Sequence, residues 1–311
     1  VVRVVDTPIQ RLPDEILNWQ SVLTHVHTFG NSKCSGQQSL DDVVDMAFRL
    51  GFRRVMLNEH TSNPESPFQL KPYGKEVEAL NRHRNRVSST FSTLIAFGIE
   101  CNTVPITSAD SDGKYGVRTR FELDVPHLAL ARLWPKYVVG SLHGDASTYK
   151  SPHALMAAIR MLCEHPYVDT LGHITRYVSD VPVDWTEVAQ MAADTGTLIE
   201  LNLNQWFKEC RPENQPKADD SGDVKFHRQF VEAVAGSTAQ TVIGADIHNA
   251  GMWPTLEPVK GSETSVESVI AFHEFLASCG ITPERVINSD LARFDNWIKA
   301  TKASRSALIA R

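Results

Sequence analysis

The chain has 311 residues, 42% of them hydrophobic and 22% charged, which is the make-up of a globular protein with a packed core. Its formal net charge of −6 argues against a dedicated nucleic-acid binder, since such proteins carry a basic excess, though a local basic groove is compatible with it. No apolar run approaches the roughly 20 residues needed to cross a bilayer, and the five scattered cysteines, with no CxxC pair, exclude a disulfide framework or a zinc ribbon. The opening VVRVVDTPIQ does not have the layout of a signal peptide, so a reducing cytoplasm is the expected compartment.

Short β-rich apolar runs alternate with helical stretches. The first run is 21–27 (SVLTHVH). A helix follows over 39–50, where Ser39 and Asp42 have the spacing of a capping box, Leu40, Val43, Val44, Ala47 and Leu50 recur on one face, and Gly51 is placed as the stop. Further runs are 53–60 (RRVMLNEH), 95–101 (IAFGIEC), 137–143 (YVVGSLH), 168–173 (VDTLGH), 197–203 (TLIELNL) and 241–248 (TVIGADIH). The helices between them are expected over 74–92, 126–133, 152–163, 184–194, 224–235 and 264–279, with an amphipathic, basic helix at 291–309. The polar, turn-rich stretches 103–120 and 208–224 read as long loops. Seven strand–helix units imply parallel strands joined by crossovers, and point to a closed barrel rather than an open sheet. A single domain is expected over 1–311, its core at about 21–290.

The chemistry is carried by what stands at the strand ends. The first strand ends in His25 and His27, which alternation turns to the same side. The second ends in Glu59 and His60, the third in Glu100, the fourth in His143 and the fifth in His173. The seventh ends in Asp246 and His248, again two apart. One histidine at a strand end is ordinarily a hydrogen-bonded structural residue. Six of the chain's twelve, with two acids, recurring at the rim where βα barrels build active sites, point to metal. Imidazole and carboxylate suit Zn, Mn and Fe alike, so two or three such divalent ions are expected, with Glu100 able to bridge a pair. His83, His127, His153, His165, His227 and His273 lie on helices or loops and read as surface or packing residues. Cys34 reads as a plain thiol.

At this point the pattern resembles the PHP (polymerase and histidinol phosphatase) superfamily. His25-Val26-His27-Thr28 resembles its opening HxHT motif, and Asn58-Glu59-His60 its second motif in the TEH form of histidinol-phosphate phosphatases. Gly98-Ile99-Glu100 resembles GxE, Gly140-Ser141-Leu142-His143 resembles GSxH, Gly172-His173 resembles GH, and Gly244-Ala245-Asp246-Ile247-His248 the closing GSDAH. The resemblance spans about residues 21–290 in order. It implies a distorted (β/α)7 TIM-like barrel and a trinuclear centre. Carried over by residue, His25, His27, Glu100 and Asp246 would surround one ion, Glu100, His143 and His173 a second, and His60 and His248 a third. The family usually has Asp or His where Lys33 stands here. Three alternatives stay open: Cys34 as a substitute ligand, a dinuclear centre, or the Lys33 ammonium binding phosphate directly.

The resulting expectation is hydrolysis of a small phosphomonoester by a metal-activated hydroxide, with Glu100, Asp246 and Arg176 as catalytic residues. Arg176, three residues after His173, is expected to grip phosphate with two hydrogen bonds. Lys33, Arg118 and Arg120 are further candidates to meet substrate, and Asp145 and His248 to protonate the leaving alcohol. Two alternatives stand beside it. One is a nucleotide phosphatase or exonuclease of the same superfamily, for which the basic stretch with Lys75, Arg82, Arg84 and Arg86 is the sequence feature. The other is a non-catalytic metal-binding domain.

Overall fold

The computed structural model describes residues 11–28, 38–61, 82, 85, 94–108, 118–126, 129–131, 135–143, 149, 151–175, 181–210, 222–249, 252–253 and 265–309. Eight strands are present among them: β1 (Val22–Val26), β2 (Arg54–His60), β3 (Ile95–Ser108), β4 (Arg118–Leu123), β5 (Val138–Ser141), β6 (Thr170–Gly172), β7 (Leu198–Asn202) and β8 (Thr241–Ile247). Seven are parallel and run around a ring in the order β2-β1-β8-β7-β6-β5-β3, which the β2–β3 pairing closes. The fold is an α/β, TIM-like barrel of seven parallel strands. All seven strands expected from the sequence are there.

Two stretches read as loops from the sequence are not loops throughout. In 103–120, β3 continues past the barrel rim to Ser108, and β4 returns antiparallel to it, Thr103 facing Leu123 and Ser108 facing Arg118. The β-branched residues of TVPITS and the alternation of RTRFEL carry this hairpin. In 208–224, a helix Leu203–Cys210 enters from one side and the helix Gly222–Ala235 begins at the other, with 211–221 outside the described residues. Of the expected helix 74–92 only residues 82 and 85 are described, and of 126–133 only 129–131 are described as helical.

The helix Leu40–Leu50 begins and ends where its signals stand. The Ser39 hydroxyl accepts from the Asp42 N–H at 3.1 Å, Asp42 accepts from the Ser39 N–H at 2.8 Å, and Gly51 closes the helix at φ 88°. Farther on, the Arg285 guanidinium donates to the carbonyls of Val234, Ala235, Ser237 and Ala239, capping the end of Gly222–Ala235. No helix among the described residues is long and apolar enough to cross a membrane.

Strand alternation divides the core in two. Leu23, Val55, Ile95, Val138, Ile199 and Ile243 join the large core between strands and helices. Their neighbours Val22, Met56, Ala96, Val139, Leu198 and Val242 form a separate cluster with Tyr137, Ile287, Phe294 and Ile298. This second cluster is the floor of the barrel, and Phe294, from the terminal helix Leu291–Ile309, seals it from below. The polar residues at the strand ends therefore stand on a dry apolar plug.

His273 is a packing residue, as the sequence reading has it. It stacks on Trp19 with ring centroids 5.0 Å apart, and neither ring nitrogen finds a hydrogen bond. Burial lowers its pKa from 6.5 to about 4. The unfolded chain takes up this proton at higher pH than the folded one, so the contribution to stability is full above about pH 6.5 and is lost as the pH falls toward about 4. His273→Phe keeps the stack and removes the titration. Urea unfolding at about pH 7 and about pH 5 should show wild type losing roughly 2 kcal/mol more than the variant. Parallel losses in the two proteins would contradict this account.

Candidate metal centre

Glu100 is the hub. It is fully buried, pairs in register with His60 on β2, and is approached by five imidazoles. His60 Nδ1 lies 2.9 Å and His25 Nε2 3.3 Å from its Oε2, with His27 Nε2 at 3.5 Å. His173 Nε2 lies 2.9 Å and His143 Nε2 3.7 Å from its Oε1, and the Ser141 hydroxyl donates to that same oxygen at 2.6 Å. Asp246 stands across the cluster. Its Oδ1 is 2.9 Å from His248 Nε2, 3.5 Å from His27 Nε2 and 3.7 Å from His25 Nε2. The six strand-end histidines singled out in the sequence are thus brought together with Glu100 and Asp246.

Plain alternation does not achieve this on β1. Counted from Val22, which faces the floor, it would turn both His25 and His27 outward. The register slips between Leu23 and Val26, and those two residues, three apart, both pack in the outer core. His25 absorbs the extra residue with φ 63°, and the phase of the strand reverses. His173 (φ 28°) and Asp246 (φ 50°) share this uncommon region. Three side chains at the centre are aimed by backbone conformations that non-glycine residues seldom adopt.

A polar layer beneath holds these residues in place, and the sequence reading missed most of it. The Asn58 side chain accepts the His25 N–H at 3.0 Å. Glu200, on β7, accepts from His25 Nδ1 at 2.7 Å and from the His173 N–H at 2.8 Å. Asn102 accepts from His143 Nδ1, and its own amide donates to Asp124 at 3.2 Å. Asn204 donates to Asp246 Oδ2 at 3.2 Å. At the outer ends of β1 and β8, Gln38 donates to the carbonyls of His27 (2.8 Å) and Ile247 (3.4 Å) and accepts from the Trp253 indole at 2.7 Å. The signal for Asn102 and Glu200 was present: Glu100-x-Asn102 and Glu200-x-Asn202 place polar residues two apart within buried strands.

Charge is balanced tightly here. Burial resists ionisation of Glu100, but His60, His25 and His143 outweigh it and hold its pKa well below the usual carboxylate range. Asp246 is lowered likewise, burial being overcome chiefly by His248. For His25 burial is overcome by Glu200 and Glu100, and its pKa rises. For His60 it is overcome by Glu100. His27 goes the other way, lowered by burial and then by His248 and His60, and so is held neutral. Neutral imidazole is the form that binds metal.

The donors fit cations. His25 Nε2, both ring nitrogens of His27 and Glu100 Oε2 are buried and make no hydrogen bond, an arrangement that is costly unless a cation takes their lone pairs. Four sets have ligand atoms within 4.8 Å of one another: His25, His27 and Asp246; His25, Glu100 and His173; His60, Glu100 and His143; and His27, His60 and His248. They share members, so they are not four separate sites. This grouping differs from the allocation implied by family resemblance, since His173 gathers with His25 and His143 with His60.

Lys33, Cys34, Asp145 and Arg176 lie outside the described residues, as does the side chain of Arg118, whose backbone opens β4. Arg120 pairs with Glu122 at 2.7 Å on the exposed hairpin. His153 is exposed and His165 half-buried, while His83, His127 and the side chain of His227 are not described. Cys101, Cys163 and Cys279 are buried free thiols.

No family model matches the chain. It is 22% identical over 208 residues to the DNA polymerase/3′-5′ exonuclease PolX of Bacillus subtilis (strain 168), a match that takes in 64% of this chain and 32% of that protein. The chain thus spans about a third of the length of this relative. Among solved structures, histidinol phosphate phosphatase (HISK) from Lactococcus lactis subsp. lactis Il1403, complexed with Zn, L-histidinol and phosphate, superposes with a TM-score of 0.52. That match covers 85% of this chain and 95% of that one at 12% identity, and it shows a shared fold. The chain resembles the PHP superfamily.

In this seven-stranded barrel the motif glycines make room for the polar layer. A Cβ built on Gly244 would lie 1.8 Å from Glu200 Oε1, and one on Gly172 would lie 2.3 Å from Val139 Cγ1 and 2.6 Å from Ser141 Oγ. Gly236, at a helix end, meets nothing nearer than 3.4 Å. Gly244→Ala should therefore destabilise by at least about 1–3 kcal/mol, as overpacked cores do, while Gly236→Ala stays close to wild type. Denaturant midpoints measure both. A neutral Gly244→Ala would mean that Glu200 does not occupy this place.

Proposed function

We propose that this centre holds two or three divalent metal ions and that the chain is a metal-dependent hydrolase of phosphomonoesters with small organic alcohols. The observation that carries the reading is the convergence on Glu100: one buried carboxylate, five imidazoles around it, and buried ligand atoms with no hydrogen bond of their own. His25, His27 and Asp246 would hold one ion, and Glu100 would be shared between that region and the ions held by His60, His143, His173 and His248. When bound, such ions acidify water and draw off the charge that gathers on phosphoryl oxygens. Zinc, manganese and iron all suit these donors.

The chain's own residues supply the rest. His248 is at the solvent edge, its side chain 19% exposed against 6% for Asp246, which accepts from its Nε2 at 2.9 Å. Asp246 thereby orients the ring of His248 toward the ion it would hold. Arg176 follows His173 by three residues, and we assign it the phosphate grip, with Lys33 and Arg118 as further contacts to substrate. The closed apolar floor excludes water from below, so substrate approaches from the strand ends. A small phosphorylated substrate is supported by the fold shared with a phosphatase that binds histidinol and phosphate.

The similarity to PolX favours a second reading, a nucleotide phosphatase or exonuclease. Both readings meet one assay. Phosphate release is measured with Mn²⁺ or Zn²⁺ on histidinol phosphate, sugar phosphates, nucleoside monophosphates and a 5′-phosphorylated oligonucleotide. The expected result is chelator-sensitive release from a small monoester. Glu100→Gln and Asp246→Asn should each lower it by more than about 100-fold, because even the partners of metal ligands are worth 10–100-fold. Release from the oligonucleotide alone favours the second reading. No release from any substrate, with metal bound, leaves a non-catalytic domain.

A further inference from the structure

β7 contributes no ligand to the centre described above, yet it carries an acid buried beneath it. Glu200 is 2% exposed, and each of its oxygens has a separate task. Oε2 receives two donors: the backbone N–H of His173 at 2.8 Å and the Asn202 amide at 3.0 Å. Oε1 faces His25 Nδ1 at 2.7 Å. The Asn202 amide cannot be turned round, because its oxygen accepts the Gln205 N–H at 2.8 Å. The Gln205 backbone N–H at one end and the accepting carboxylate of Glu200 thus set the direction of the hydrogen bonds in the chain Gln205–Asn202–Glu200–His25.

The consequence reaches the metal-facing atom. With both carboxylate oxygens acting as acceptors, His25 must carry a proton on Nδ1. Its Nε2, 3.3 Å from Glu100 and 3.7 Å from Asp246, is then the atom available to a cation. The same carboxylate holds the backbone of His173. Both histidines have positive φ, and Glu200 holds the backbone of one, His173, and the side chain of the other, His25. Gly244 leaves the space it occupies.

We propose that Glu200 is the positioning residue of the metal centre: it fixes His25 as the Nδ1–H tautomer and anchors His173, and a carboxamide cannot replace it. This rests on the reading of the cluster as a metal centre. In Glu200→Gln the shape is kept. The amide oxygen must face the two donors from His173 and Asn202, so the NH2 group faces His25 Nδ1. That nitrogen must then accept, the ring proton moves to Nε2, and the ligand atom is blocked. A substitution of one oxygen by one nitrogen, one hydrogen bond away from the ligand ring, removes a ligand.

Zinc binding by wild type and Glu200→Gln tests this, read by competition with a chromophoric chelator and by metal content, with circular dichroism to check the fold. Wild type should take up two or three equivalents. Folded Glu200→Gln should bind 10–100-fold more weakly at one of them, the effect seen when a partner of a metal ligand is lost. Unchanged affinity in the variant overturns the role of Glu200 and leaves the metal centre standing. No zinc bound by wild type overturns the metal centre itself. The zinc-loaded wild-type protein gives an answer that needs no variant. Long-range ¹⁵N–¹H correlation spectra, with His25 assigned by substitution, should show its proton on Nδ1 and its Nε2 shifted by the metal. A proton on Nε2 overturns the proposal.

Discussion

A carboxylate buried in a closed barrel has to be compensated, and Glu100 is compensated by imidazoles from β1, β2, β5 and β6. Moving an ionised carboxylate out of water costs several kcal/mol even after relaxation. The strand ends that carry these rings are therefore not free to move independently. Each histidine that withdraws from Glu100 leaves charge behind in a dry site. Asp246 imposes the same condition from the opposite wall, on β8. The mouth of the barrel is one electrostatic unit, and the parallel sheet beneath is the scaffold that holds its pieces at hydrogen-bond distance.

That unit demands sacrifices in the layer below. Three of the chain's described residues with positive φ that are not glycine stand at its edge, and left-handed backbone costs on the order of 1–2 kcal/mol each. The layer beneath offsets this by giving their displaced backbone groups definite partners: Asn58 for the N–H of His25, Glu200 for that of His173. Room for those partners comes from Gly98 beside Asn58 and Gly244 beside Glu200, and Gly172 leaves space for Ser141. The glycines of the GH and GAD motifs thus belong to the polar layer, although they touch no ligand atom. Their absence of a side chain is what lets Glu200 and Ser141 reach upward.

The sequence carries the barrel legibly because parallel strands buried on both faces are continuous apolar runs, and each of the seven was visible as one. The ligand residues were legible because charged and imidazole side chains stand out at the ends of such runs. What was not legible depends on pairing. The bulge at His25 is set by registers with Arg54–Leu57 on one side and Gly244–Ile247 on the other, and no local pattern in SVLTHVH announces it. Asn102, Asp124 and Glu200 look in isolation like ordinary polar residues of strands and turns. Their importance arises only when β3 and β7 bring Asn102 and Glu200 under histidines that are 41 and 175 residues away along the chain, and when the chain just past β4 brings Asp124 to Asn102. The hairpin β3–β4 escaped because its turn-rich centre, between Ser108 and Arg118, masked two short strands that gain their stability from each other.

The division of labour between layers also explains why one barrel can resemble both a small-molecule phosphatase and part of a DNA polymerase/exonuclease. The donors, their tautomers and their charges are decided inside the barrel by residues no substrate reaches: Asn58, Asn102, Asp124 and Glu200 are all 2% exposed or less. What approaches the open side is decided by segments that leave the strand ends, among them the β3–β4 hairpin and the helix after β7. The hairpin is tied to the polar layer at its base, where Asp124, just past β4, accepts from the Asn102 N–H at 3.0 Å and from its amide at 3.2 Å. The helix Leu203–Cys210 is tied nearer the ligands. It starts at the end of β7, and its Asn204 and Gln205 are tied to Asp246 and Asn202. A change in this helix would be felt at the ligands.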